Sequence, residues 1–306
     1  MQRRFLDYLI ISLKGLAMGA ADAIPGVSGG TIAFISGIYE ELITTISNIN
    51  LSLFKTLFKK GISAFWKQLN GPFIIALLSG IIISYISFMR LAKYLLEYHP
   101  ILIWSFFFGL IIASIYFVGK QISKWSPIVI VFSIVGAAIA FYISILPTMG
   151  NNDNDLFFFM AGAIAICAMI LPGISGSFIL VVLGAYKTLS DAIHDVDIKK
   201  LIIFIAGAGI GLLSFSHLLK WLFKNYRDIT LALLTGFIFG SLNKVWPWKE
   251  TLTWYTNSEG IKEPMLQQSV SPFSFSGDSQ LLFSVTLIIV GFLTIFILEK
   301  LGSNKQ

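Results

Sequence analysis

The sequence predicts an all-α integral membrane protein built as two inverted repeats, each a re-entrant broken-helix hairpin followed by three transmembrane helices. Of its 306 residues, 56% are hydrophobic and 12% charged, against about a quarter charged in soluble domains. A polar, glycine-rich motif interrupts the apolar pattern twice, 147 residues apart: Ile24-Pro25-Gly26-Val27-Ser28-Gly29-Gly30-Thr31 and Leu171-Pro172-Gly173-Ile174-Ser175-Gly176-Ser177-Phe178. Lysine and arginine, meanwhile, gather in alternate connections, as they do on the cytoplasmic side of a membrane. Residues 1–149 form the first repeat and 150–306 the second, in one membrane domain.

The chain opens with Met1-Gln2-Arg3-Arg4 and an apolar stretch that runs into the first motif without a small-residue cleavage site, so it reads as a retained helix rather than a signal peptide. Phe5–Ala23 and Thr31–Ile46 are the two limbs of the first hairpin. Each is short for a crossing, and Pro25 removes a donor where Gly26, Gly29 and Gly30 free the backbone. Residues Leu51–Gln68 place Lys55, Lys59, Lys60 and Lys67 among apolar positions, which suits an interfacial amphipathic helix or a solvated basic loop. Spans follow at Pro72–Met89, Ile101–Gly119 and Pro127–Leu146, then the polar run Gly150–Asp155.

The second half repeats the plan with limbs Leu156–Leu171 and Phe178–Ile193 and spans Leu201–Leu219, Ile229–Trp246 and Leu281–Leu298. After the hairpin the offset becomes 127, because the basic segment has no counterpart: Gly80, Ser87, Lys93, Gly109 and Ser114 meet Gly207, Ser214, Lys220, Gly236 and Ser241. A hairpin plus three crossings is odd, which turns the second half upside down. Both termini and the basic segments then fall in the cytoplasm, while the Asn151–Asp155 linker and the Pro247–Ser279 loop, which shows no regular pattern, fall outside.

Irregular backbone survives in hydrocarbon only where it is buried in protein or lines a cavity, and paired broken helices in two halves point to a transporter's binding site. The restarting helices aim N–H groups at that cavity, which suits phosphate. Candidate substrate-binding residues are therefore Gly26, Ser28, Gly29, Gly30 and Thr31 in the first loop and Gly173, Ser175, Gly176 and Ser177 in the second. Arg90 and His217 correspond at the 127-residue offset and lie one turn inside the span ends, so they join the set. Glu40 and Glu41 read as solvated helix-end charges, and the aromatics of Trp104–Phe108 as an apolar wall or lipid-facing surface. Asp22 aligns with Met169 and breaks the symmetry. An aspartate inside a membrane is a functional candidate, here for coupling transport to protons or sodium; the alternative is that it caps the loop. The single Cys167 excludes an intrachain disulfide and a cysteine-cluster metal site. No metal, cofactor or nucleic acid is expected.

The stretches GAADAIPGVSGGTIAFISGIYEELI and ILPGISGSFILVVLGAY resemble a bacterial membrane family once catalogued as a domain of unknown function and since described as undecaprenyl phosphate translocases. The resemblance covers nearly the whole chain. It implies a flippase of the bacterial cytoplasmic membrane that returns the polyprenyl phosphate carrier lipid from the outer to the inner leaflet for cell-envelope synthesis, and not an enzyme. Two alternatives stand beside it. Membrane polyprenyl pyrophosphate phosphatases use a similar loop, PGxSRSG, but Gly29 and Gly176 replace its arginine and no carboxylate cluster suits a general base. An ion channel with a backbone-lined filter would need symmetry about a pore. Whether two copies pair is left open.

Overall fold

The computed structural model of the chain describes residues 3–24, 27–147, 149, 154–256 and 262–303. It is mostly helical, with α1 Phe5–Asp22, α2 Gly29–Ile35, α3 Tyr39–Ser47, α4 Leu51–Gln68, α5 Gly71–Tyr98, α6 Pro100–Gly119 and α7 Pro127–Ser144 in the first half. The second half contains α8 Asp155–Ile170, α9 Gly176–Val182, α10 Tyr186–His194, α11 Ile198–Asn225, α12 Arg227–Gly240 with a 3-10 turn at Ser241–Val245, a hairpin of β1 Lys249–Thr256 and β2 Lys262–Ser269, and α13 Leu281–Ser303. Among the described residues α5, α6, α7, α11 and α12 with its turn are long and apolar enough to cross a bilayer, and α13 is apolar over Leu281–Ile297. The chain is a multi-pass membrane protein. Its long helices expose apolar side chains such as Ile82, Ile86, Ile205 and Phe283, a face that suits lipid and would be costly in water.

Helix α1 packs on α5 and α8 on α11, while α6 packs on α13 and α7 on α12. The two halves therefore share one plan, and their last helices are exchanged across the molecule. Glycine sets the contacts, as small residues do where helices must approach without a hydrophobic drive between them. A Cβ on Gly15 would lie 2.3 Å from Leu77 O, and one on Gly80 1.9 Å from Ser12 O. Their counterparts behave alike, with Gly162 at 2.6 Å from Phe204 O and Gly207 at 2.0 Å from Phe159 O. The exchanged pairs match too, Gly109 meeting Ile288 O at 1.9 Å and Gly236 meeting Ser133 O at 2.1 Å.

Both motif segments break the helix as the sequence reading expects. Helix α1 stops at Asp22 and α2 restarts at Gly29; α8 stops at Ile170 and α9 restarts at Gly176. Each restart is short and ends at a turn with glycine at positive φ, Gly37 (73°) and Gly184 (69°). Nothing lies within 4 Å of a Cβ on Gly37, so conformation alone requires that glycine. After the second turn, α10 leaves α9 at 108°.

Helix α4 is largely exposed, with Leu51, Phe58 and Ile62 beside its lysines and a break at Gly61 (φ 82°), which is the amphipathic form of the two readings. The Pro247–Ser279 loop differs from expectation. It contains an antiparallel hairpin pairing Lys249 with Ser269 and Trp254 with Pro264, irregular near Thr253. Trp246 Nε1 donates to Val270 O (2.8 Å) and Trp248 Nε1 to Ser279 O (2.9 Å), tying the hairpin to the helix ends.

At the opposite end, Arg3 makes a bidentate pair with Glu41 at 2.6 Å, Arg227 donates to Glu40 at 2.7 Å, and the Asp228 carboxylate accepts from Ser123 N and Lys124 N at 3.0 Å. The chain start, α3, the α6–α7 connection and the α11–α12 connection thus meet at one end. Glu40 and Glu41 are not merely solvated charges, as expected, but links between segments far apart in sequence.

Candidate functional site

The two broken segments touch each other in the buried interior. Breaking α8 leaves carbonyls without helical partners, and buried backbone groups in a low dielectric must find others. Ser28 supplies one: its hydroxyl donates to Met169 O at 3.1 Å, with Leu171 O at 3.4 Å. The same oxygen accepts from Gly30 N at 3.1 Å as the N-cap of α2. Thr31, fully buried, accepts from Gly173 N at 2.9 Å. Two of the four hydroxyls expected to face a phosphate, those of Ser28 and Thr31, thus join one loop to the other.

The first loop also holds its own anion. Asp22, half-buried, accepts from Gly29 N at 2.7 Å through Oδ1, as the capping alternative requires. A Cβ on Gly29 would lie 2.3 Å from Asp22 Oδ2, one on Gly30 2.6 Å from Ile170 O, and one on Gly176 2.7 Å from Ala165 O. These glycines permit close packing inside the protein; the space beside Gly29 that the sequence reading kept for a ligand is filled by Asp22. Gly26 lies outside the described residues.

The second loop differs. Gly173 takes φ 87°, and a Cβ there would meet Phe237 O at 2.8 Å. Ser175 caps α9 with no side-chain bond to its backbone; its Oγ lies 2.8 Å from that of Ser177, which is exposed. A narrow cleft beside this loop is lined by Gly173, Ser175, Phe178, Ser144, Ser241 and Lys244. Lys244 stands 4.0 Å from the centroid of the Phe178 ring. Next to it, Lys249 donates to Lys244 O and lies 4.6 Å over the Trp104 ring. Burial and the facing Lys244 push the Lys249 ammonium down to about 7. Sequence reasoning missed both lysines, since each looks like an ordinary cation after a span.

Arg90 and His217 are not brought to the loops. Both lie on exposed helix faces, and His217 Nδ1 sits 2.7 Å from Leu213 O of its own helix. Their depth was read from the span ends, but the buried stripe of α5 runs through Phe73, Leu77, Gly80 and Ser84, and Arg90 falls off it. The aromatic wall divides: Trp104 lies under Lys249, Phe108 meets Trp246 edge to face with centroids 5.2 Å apart, and Phe106 and Phe107 line an apolar cavity of about 410 Å³ with Phe88, Leu95, His99 and Leu287. Among the described residues there is no cluster of His, Cys, Asp or Glu able to hold a metal.

At the end where the chain starts, Tyr39 packs between Phe34 (centroids 4.7 Å apart) and Phe223 of α11 (5.9 Å), and Lys220 Nζ lies 3.4 Å from Asn48 Oδ1. Exposed ion pairs contribute only about 0–1 kcal/mol each. The buried aromatic cluster therefore outweighs the Arg227–Glu40 pair in holding α3 on α11. The counterparts of these residues at the repeat offsets are Tyr186 and Leu96. Tyr186 is 43% exposed where Tyr39 is 2%, and α10 lies against α9 and α11 of its own half.

Residues 18–263 match the profile of a family described as undecaprenyl phosphate translocase-like. The chain is 46% identical over 304 residues, 98% of its length and 99% of the relative's, to a Vibrio cholerae protein named polyprenyl-phosphate transporter. A Staphylococcus aureus protein of the same name is 35% identical over 254 residues, covering 77% of this chain and 85% of the relative. No solved structure matches.

Proposed function

The chain belongs to the undecaprenyl phosphate translocase-like family, and we propose that it carries a polyprenyl phosphate from the outer to the inner leaflet of the bacterial cytoplasmic membrane, for reuse in cell-envelope synthesis. The observation that carries this reading is the meeting of two broken helices, one from each half, in the buried interior of a membrane-embedded bundle. A lipid phosphate needs polar backbone deep in the bilayer and an apolar path for its tail. The paired loops provide the first, and the cavity between α5, α6 and α13 suits the second.

The halves act as inverted repeats with re-entrant hairpins, both termini in the cytoplasm. Supporting this are the exchanged helix pairs and the gathering of Arg3, Lys124 and Arg227 at one end. Inverted repeats transport by exchanging conformations, so a contact made in one half is later made by its counterpart in the other. The Tyr39–Phe223 contact closes the cytoplasmic end. The counterpart of Tyr39, Tyr186, is 43% exposed, and the α5–α6 cavity lies beside Leu95. Asp22 couples the cycle to protons, with sodium the alternative: it holds Gly29 N and lies where the first loop moves against α1.

The test is binding to purified protein of a polyprenyl monophosphate, the corresponding alcohol and the corresponding diphosphate, with released inorganic phosphate measured in parallel. Preference for the monophosphate over the alcohol, without phosphate release from the diphosphate, is expected. Phosphate release at enzymatic rates would overturn the transporter reading.

A further inference from the structure

Two ammonium groups stand together at the end of α12, without a counter-ion among the described residues. Lys244 lies in the turn that follows α12 and Lys249 opens β1, and both are half-buried. Neither belongs to an ion pair among the described residues, and the charge facing Lys249 is Lys244 itself. Their partners are carbonyl and ring: Lys244 O for Lys249, and the faces of Phe178 and Trp104. A cation over an aromatic face gains about 0.5–2 kcal/mol. Withdrawing an ion from water costs several. The rings leave the pair under-compensated, and one anion between them would satisfy both.

Of the hydroxyls nearby, Ser144 and Ser241 donate to Phe141 O and Ile238 O and Ser175 pairs with Ser177, so the attraction for an anion comes from the lysine charge. Lys244 lines the cleft whose other polar residues are Ser144 at the end of α7, Ser175 of the second motif, and Ser241. Ser144 accepts from Asn243 Nδ2 at 3.1 Å, which fixes that wall. The pair is also peculiar to this half. At the 127-residue offset the counterpart of Lys244 is Phe117, while the first loop carries Asp22 where the second has Met169. One loop is thus built with an internal carboxylate and the other with uncompensated cations. A second anion would be repelled at the first and drawn to the second.

We infer that the cleft between Ser175 and Lys244 is the seat of the substrate's phosphate monoester on the side of the membrane that carries the β-hairpin, with Lys244 and Lys249 as its counter-charge and selectivity residues. This rests on the transporter reading and sharpens it: the headgroup is captured at the second motif alone. The nearby Trp104 and Phe178 faces steady the ammonium groups while the site is empty. The depressed ionisation of Lys249 agrees, since an arriving phosphate restores its charge.

The experiment measures binding of farnesyl phosphate, farnesol and inorganic phosphate to the purified full chain in detergent, for the wild type, Lys244→Gln, Lys244→Arg and the double variant Lys244→Gln/Lys249→Gln. Monodispersity is checked first, and Lys244→Gln alone carries the test should the double variant aggregate. Farnesyl phosphate should bind the double variant at least about tenfold more weakly, in line with loss of a charge-assisted hydrogen bond. Lys244→Arg should retain binding, and farnesol should not respond to any substitution. Competition by inorganic phosphate supports a seat that reads the headgroup alone, and its failure to compete supports one that needs the attached prenyl chain. Wild-type affinity for farnesyl phosphate in both Gln variants overturns the seat and leaves the transporter reading standing. Absence of binding by the wild type overturns the transporter reading, and the seat with it.

Discussion

Tyr39 is fully enclosed between Phe34 and Phe223, yet its hydroxyl has no hydrogen-bond partner among the described residues. Tyr39→Phe keeps the ring contacts and removes only that unsatisfied group. A buried hydroxyl left unpaired costs about 1–3 kcal/mol, and the cost is relieved when the end opens and water reaches the oxygen. The substitution therefore stabilises the closed cytoplasmic end by the same amount, which shifts the open-to-closed ratio by about 5–150-fold. The assay replaces Cys167 with Ala and places a reporter cysteine at Ala33, which is completely buried beside the cluster. The rate of its alkylation in membranes reports opening. Tyr39→Phe should slow that rate by this factor and slow transport with it. An unchanged or faster rate would show that Tyr39 is not part of a closing contact, and the alternating-access account would lose its main support.

Three further outcomes follow from the site. Thr31→Val removes the acceptor of Gly173 N, so thermal unfolding in detergent should reveal a loss of about 1–3 kcal/mol, with Thr31→Ser close to wild type; no loss would mean the loops do not depend on each other. Asp22→Asn keeps an acceptor for Gly29 N but cannot titrate, so the variant should bind polyprenyl phosphate normally and lose acceleration by an imposed proton gradient. Gradient-driven uptake that survives intact in Asp22→Asn removes the coupling role. For Lys249 the sign runs from its lowered ionisation, near 7, with Lys244 the charge facing it. The ammonium that an anion requires is present below that pH and lost above it, so affinity for a prenyl phosphate should fall between about pH 7 and 9, where the headgroup, ionising near 6, no longer changes. A titration that is equally steep in Lys249→Gln would assign the effect elsewhere.

The broken helices, the five long apolar helices and the recurrence of the pattern in the second half were legible because each depends on local pattern: proline and glycine punctuation, apolar length, and one spacing recurring at Gly80 and Gly207. What escaped depends on partners remote in sequence. Glu40 finds Arg227 187 residues away, and nothing near either residue announces the other. Lys249 is withdrawn from water only because the β-hairpin folds back over Trp104, and the run Lys249–Thr256, though rich in threonine and aromatic residues, carries too few apolar positions to declare a strand. Arg90 and His217 were judged by depth along a helix, whereas the angle around it put them on exposed faces. Asp22 shows the subtler limit. Its position beside the glycines was evident and capping was one of the two roles it allowed, but pattern alone could not choose Gly29 N as the group the carboxylate holds.

The central claim, that this protein moves a polyprenyl phosphate between leaflets, is tested most directly in reconstituted vesicles. A fluorescent prenyl phosphate is incorporated in both leaflets, and an impermeant quencher is added outside. The account predicts that vesicles containing the protein lose the protected inner-leaflet signal much faster than empty ones, that a labelled prenyl alcohol shows no such acceleration, and that Lys244→Gln/Lys249→Gln slows the loss. Monophosphate exchange no faster than in protein-free vesicles, with the protein folded and inserted, would contradict it.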